Sequence, residues 1–209
     1  MCVIPGLGGV VLAGGKSSRM GSPKAWLDFG GEALLQRVAR RVAEVAAPVV
    51  VVAAEGQDLP LLPEGTAIVR DPVAGKGPLV GIGAGLDALA GRAEAAFVSS
   101  TDAPFLHPTL IRRLAALRAG YDIAVPRALG HFQPLCAVYG MAARAEIAAL
   151  LAEDRLRPTF LFERMRTLVA DEALLLADPD LLAADPGLRS LRNVNTPEEY
   201  AAALADVGS

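Results

Sequence analysis

Unbroken apolar runs of strand length, separated by amphipathic stretches, constrain this chain more than any other feature. The runs read GVVLA (9–13), PVVVVAA (48–54), TAIV (66–69), AAFVSST (95–101), YDIAVP (121–126) and PLCAVYG (134–140). A continuous run, unlike an alternating one, suits a strand buried on both faces of a mostly parallel sheet. Between the runs, residues 32–47 put Leu34, Leu35, Val38, Val42 and Val45 on one helical stripe, with arginines opposite. Residues 107–120 repeat the pattern, with Pro108 early and Gly120 at the end, where helices start and stop. Alternating strand and helix predicts an α/β architecture of three layers, α/β/α, with right-handed crossovers.

The 209 residues suffice for one sizeable core, since chains commonly split only beyond about 250 residues, and no repeat or linker divides them. A single domain over 1–209 is expected. Hydrophobic residues make up 53% of the chain, yet no run approaches the roughly 20 apolar residues that cross a bilayer. The apolar start lacks a basic n-region and passes straight into a glycine loop, which argues against a signal peptide and for a cytoplasmic protein. Lys and Arg total 20 against 23 Asp and Glu, so the chain has no general attraction for nucleic acid or anionic membrane. Any phosphate binding must be local. Cys2 and Cys136 lie in no metal or redox motif and read as plain thiols.

Ligands of such sheets bind outside the carboxyl ends of the strands, so the loop after the first run, LAGGKSSRMGSPK (12–24), is where chemistry is expected. Gly14 and Gly15 let backbone N–H groups approach phosphate oxygens, and Arg19 and Lys24 add charge-assisted hydrogen bonds. The loop is not a Walker A motif: the glycine required five positions before Gly15 is Val10. Nor does GIGAG (81–85) have the spacing of a dinucleotide-binding fingerprint. FVSSTDAPFL (97–106) delivers one carboxylate, Asp102, at the end of another apolar run. One such aspartate suffices for magnesium, which is bound through one or two carboxylates, several waters and substrate phosphates.

The loop, with its Gly-Gly, Ser-x-Arg-Met-Gly and Pro-Lys elements, resembles the signature of nucleotidyltransferases, and within them the molybdenum cofactor guanylyltransferases, which join GMP from GTP to molybdopterin. The cytidylyltransferase siblings typically have Leu-Ala-Ala-Gly at this point, so Gly14 matters for base choice by resemblance. The likeness extends over nearly the whole chain, through RDPVAGKGPLVG (70–81), GHFQPLCAVY (130–139) and LRNVNTPEEY (191–200).

It implies a Rossmann-like nucleotidyltransferase fold, with Leu12, Ala13, Gly14, Gly15, Lys24, Asp71 and Asp102 around the nucleotide. Arg19, Lys24 and Asp102 act in transfer and Asp102 holds Mg²⁺. His131, Asn193 and Asn195 lie on the acceptor side, with Thr196 or Asn195 capping the last helix, while His107 reads as structural. GTP and molybdopterin are the implied substrates, and other molybdenum cofactor proteins and apo-molybdoenzymes the implied partners. In one respect the chain departs from the family: the second run ends in Val52, Ala53 and Ala54 where pocket asparagines are common. Transfer of another nucleotide, such as CMP to molybdopterin or NMP to a sugar phosphate, stays open on these residues, as does a nucleotide-binding regulator.

Overall fold

A computed structural model describes residues 2–13, 23–71, 76–128 and 130–206. Its centre is one sheet of strands β1 (Leu7–Leu12), β2 (Val49–Ala54), β3 (Ala67–Asp71), β4 (Ala95–Ser100), β5 (Ile123–Ala128), β6 (His131–Phe132), β7 (Cys136–Gly140) and β8 (Thr167–Ala170), in the order β3-β2-β1-β4-β7-β5-β6, with β8 paired to β5. The half formed by β3, β2, β1 and β4 is parallel throughout. The expected runs at 121–126 and 134–140 shift by two residues at one or both ends. β7 runs antiparallel to both β4 and β5, and β6 folds back on β5 as a hairpin. The sheet is therefore mixed, with its parallel half carrying the amino-terminal loop.

Alternation along each buried strand builds the two outer layers. Val11, Val51, Phe97 and Val138 point into one core, packed by helices α1 (Leu34–Ala43) and α3 (Pro108–Leu117) and by the short α6 (Glu172–Leu176) and α7 (Pro179–Ala184). Val10, Leu12, Val50, Val98 and Tyr139 point into the other, against α2 (Pro78–Ala88), α4 (Ala143–Ala152) and α5 (Pro158–Arg164). The expected three layers are present. α1 is shorter than the stripe 32–47 that announced it, although Val45 beyond its end is still fully buried.

Glycines set how closely the layers approach. A Cβ on Gly81 would stand 3.2 Å from Leu12, one on Gly85 would overlap Val10, and one on Gly83 would stand 3.0 Å from Ile147 of α4. GIGAG is thus a packing surface that seats α2 on β1 and α4. Gly77 precedes α2 at φ 90°, a conformation glycine adopts without a Cβ penalty, and Pro78 follows as the first helical residue.

A third, small apolar cluster joins Phe29, Leu34, Val194 and Ala203, with Phe105 and Tyr200 against it. Phe29 meets Phe105 edge-on at 5.6 Å, and the Tyr200 hydroxyl donates to the Asp28 carbonyl. This cluster fastens the closing helix α8 (Pro197–Ala205) beside the segment that follows the first loop.

Candidate active site

The parallel half-sheet brings Leu12, Ala54, Asp71 and Ser100, each the last residue of its strand, to one rim. Leu12 pairs with Val52 on one side and Ser100 on the other, and Asp71 lies level with Ala54. Asp71 is two strands across and two residues further along from Leu12, about 12 Å at normal strand spacing and rise. Thr101 locks the rim by donating from its backbone N–H and its hydroxyl to the Leu12 carbonyl, at 3.2 and 3.0 Å.

Asp102 leaves β4 in the next turn. Its carboxylate accepts from the Ser100 hydroxyl at 2.5 Å and pairs with the Lys24 ammonium at 3.1 Å, with the two side chains only 17% and 20% exposed. Lys24 opens a single 3-10 turn, Lys24–Trp26, held against α1 by Leu34 donating to the Leu27 carbonyl at 2.8 Å. The same ammonium donates to the Asn195 side-chain oxygen at 2.8 Å. Lys24, Asp102 and Asn195, drawn from three distant segments, therefore meet at one point.

Asn195 owes its position to the helix that follows it. Thr196 caps α8 in a capping box with Glu199, whose carboxylate also accepts from the Asn195 backbone N–H at 2.6 Å. Val194 donates to the Asp102 carbonyl at 2.9 Å and ties this segment to the β4 turn. Of the two candidates for the cap, Thr196 fills the role. His107 caps α3, its ring nitrogen accepting from the Thr109 backbone N–H, in agreement with a structural reading.

The other expected site residues are less concentrated. Ala13 commits its N–H to the Val52 carbonyl at 2.8 Å and its own carbonyl to Gln57 Nε2 at 3.0 Å, so its backbone belongs to the sheet edge. His131, on β6, is exposed at the same rim three strands beyond β4, about 14 Å away at normal spacing. Asn193 is exposed two positions before Asn195. Gly14, Gly15 and Arg19 lie outside the described residues.

Sequence reasoning passed over Ser100 and Gln57. Ser100 lies inside a run that reads as strand, although a hydroxyl two positions before a strand-end carboxylate is a signal in the sequence. Gln57 bridges β1 and β2, accepting from the Ala54 N–H at 3.0 Å while it donates to Ala13. Arg70 of β3 closes the same corner by donating to the Ala54 and Gln57 carbonyls at 3.0 and 2.8 Å. These side chains supply polar groups where the strand itself ends in alanines.

Cys136 is fully enclosed, and burial, with a smaller contribution from the Asp185 carboxylate, pushes its thiol up to about 12. It takes no part in nucleophilic chemistry near neutral pH. Among the described residues, no group of three or more His, Cys, Asp or Glu could hold a metal by itself. A cation held by the Asp102 carboxylate would take its further oxygen donors from elsewhere, water and substrate phosphate among them, a set that suits Mg²⁺.

A lysine, an aspartate and an asparagine gathered at the carboxyl ends of parallel strands, in a sheet covered on both faces, define the class of α/β nucleotide-handling enzymes. The sequence model of the MobA-like NTP transferase domain matches residues 9–170, and the chain belongs to that family. It is 36% identical to the molybdenum cofactor guanylyltransferase of Sinorhizobium fredii over 93% of this chain and 88% of that protein. It is 47% identical to the probable molybdenum cofactor guanylyltransferase of Pelotomaculum thermopropionicum over 63% of this chain and 62% of that protein. The fold matches the crystal structure of molybdopterin-guanine dinucleotide biosynthesis protein A from Archaeoglobus fulgidus, with a TM-score of 0.76, 21% identity and coverage of 100% of this chain and 99% of that one.

Proposed function

We propose that the chain, acting as one nucleotidyltransferase domain, transfers GMP from GTP to molybdopterin with release of pyrophosphate. The observation that carries this reading is the meeting of Lys24, Asp102 and Asn195 at the rim beside Leu12. The named relatives supply the substrate pair, and the family supplies the reaction class.

In this reaction the terminal phosphate of molybdopterin attacks the α-phosphorus of GTP. A new phosphoanhydride bond forms, and the bond to the pyrophosphate oxygen breaks. The attacking phosphate monoester is already ionised near pH 7, so no side chain need remove a proton. The work left to the chain is alignment and neutralisation of charge. Lys24, held by Asp102 and Asn195, offers a fixed ammonium to the phosphates. Thr101 keeps the β1 and β4 ends in register beneath them.

Asp102 would hold Mg²⁺, which when bound neutralises phosphate oxygens. Arg19 and the glycines of the first loop add donors by their chemistry, and His131 and Asn193 serve the acceptor side. Gln57, whose amide braces the Ala13 and Ala54 backbone, would shape the edge of the base pocket where the missing asparagines would stand. The enzyme would work in the cytoplasm, receiving molybdopterin from and passing its product to other molybdenum cofactor proteins or apo-molybdoenzymes.

Melting-temperature shifts with GTP, CTP, ATP and UTP, each with Mg²⁺, test the nucleotide assignment. A shift for GTP alone supports it. A preference for CTP moves the protein to cytidylyl transfer, and no shift with any nucleotide removes the reading.

A further inference from the structure

Helix α1 grips both loops that supply the Lys24 and Asp102 pair. Its first residue, Leu34, donates from its backbone to the Leu27 carbonyl at 2.8 Å and so holds the turn that carries Lys24. One helical turn further on, Arg37 donates from Nε to the Pro104 carbonyl at 2.8 Å, two residues beyond Asp102. Positions three apart on a helix are neighbours on one face, so one rigid turn of α1 fastens two loops from distant parts of the chain.

The guanidinium of Arg37 is itself held from several sides. Its Nη1 pairs with Glu32 at 3.0 Å, its side chain is 17% exposed, and its Cζ lies 5.2 Å from the centre of the Phe29 ring. Glu32 also pairs with Arg40 at 2.7 Å, which keeps the carboxylate in place behind Arg37. Phe29 in turn meets Phe105 of the Asp102 turn edge-on at 5.6 Å. A planar fork of donors fixed in this way gives its carbonyl partner a direction as well as a distance. The separation of the ammonium and the carboxylate is therefore set by α1 as well as by the two loops. Such placement matters for turnover, since a shift of about 1 Å caused by a change away from the chemistry can cost about 10²-fold.

We propose that Arg37 is a positioning residue for the transfer reaction: by tying the Asp102 turn to the helix that also holds the Lys24 turn, it fixes the spacing of the two charges at the rim. The proposal rests on the reading of Lys24 and Asp102 as the groups that act on the phosphates.

Arg37→Met tests it in the full chain, because methionine keeps an unbranched apolar stem beside Phe29 and removes every donor. Two readouts are needed: steady-state pyrophosphate release, and hydrogen exchange of the backbone amides of residues 101–106 without substrate. The variant should lose about ten-fold or more in kcat, the scale of one hydrogen bond from a charged group, with little change in KM for GTP and with faster exchange in the turn. Arg37→Lys, whose ammonium can still reach the Pro104 carbonyl but lacks the fork, should recover part of kcat. Arg40→Ala is the control: it removes the other partner of Glu32 and leaves the Pro104 bond, so kcat and exchange in the turn should match the wild type. Wild-type kcat in a folded Arg37→Met overturns the proposal even if exchange quickens, and so does an equal loss of kcat in Arg40→Ala. If the methionine variant does not fold, judged by its melting temperature, wild-type kcat in Arg37→Lys overturns it instead. Asp102→Ala separates the premise: wild-type turnover in that variant removes the reading of Asp102, whereas the exchange measurement still reports whether Arg37 holds the turn.

Discussion

Lys24 and Asp102, 78 positions apart in the chain, form an ion pair at 3.1 Å that also draws in Asn195. Two loops on the rim of a rigid sheet thus hold opposite charges close together before any substrate arrives. Removing either should cost transfer far more than it costs the fold. Lys24→Ala and Asp102→Ala should each lower kcat/KM by about 10² or more, the scale of losing one charge-stabilising group, with circular dichroism unchanged. Lys24→Arg should rescue little, because a planar guanidinium does not reproduce a point charge shared between two oxygens. Steady-state pyrophosphate release checks both expectations.

Asn195 contributes through Lys24. Its side-chain oxygen accepts from the ammonium at 2.8 Å, while its backbone belongs to the α8 cap. Asn195→Ala should lower activity about ten-fold, the value of one hydrogen bond to a charged group, with little change in melting. Thr196→Ala should do the reverse, destabilising α8 by about 1 kcal/mol through loss of its cap while kcat falls less. The two variants, assayed side by side for turnover and thermal melting, separate chemistry from support.

The seating of α2 on β1 predicts a packing effect. A Cβ at Gly85 overlaps Val10 Cγ1 and stands 2.9 Å from Cγ2, both in the fully buried core. Gly85→Ala should destabilise by about 1–3 kcal/mol despite the better helix propensity of alanine, because inserted volume in a packed core forces backbone shifts. Urea denaturation of this variant should show a lower midpoint with an unchanged slope.

Glu32 gives a pH dependence of known sign. Its carboxylate bonds Arg40 at 2.7 Å and Arg37 at 3.0 Å. The Arg40 hydrogen bond first, then charge attraction from Arg40 and bonding to Arg37, hold the carboxyl below its usual range against the opposing effect of burial. A carboxyl lowered in the folded state stabilises above its unfolded value, and the contribution is lost as pH falls through the folded value. Glu32→Gln should therefore melt below the wild type at neutral pH, and the gap should close as the solution is acidified below the ordinary carboxylate range. A gap that widened with acid would reverse the assignment.

Much of the parallel half was legible because β1, β2 and β4 are buried on both faces and so read as unbroken apolar runs. The direction of β7 was not, since an apolar run looks the same in either orientation. What reverses it is the hairpin through Gly130, at φ 78°, which folds β6 back on β5. β8, Thr167–Ala170, is short and only partly buried, so it carried too little apolar signal.

At the site, Lys24, Asp102 and Asn195 were each legible, but their meeting was not, because it depends on the Phe29 and Val194 cluster that docks the two ends of the chain. The glycines of 81–85 lack the spacing of a dinucleotide-binding fingerprint, and they serve close packing. The hydroxyl of Ser100 was hidden inside a run that reads as strand.

Nucleotidyl transfer at the Lys24 and Asp102 rim can be read from the fate of a label in GTP. With GTP labelled at the α-phosphate, molybdopterin and Mg²⁺, the label should appear in a molybdopterin dinucleotide while pyrophosphate is released in equal amount, and Asp102→Ala should abolish both. Label left in GDP or free GMP, with molybdopterin unmodified, would contradict the account.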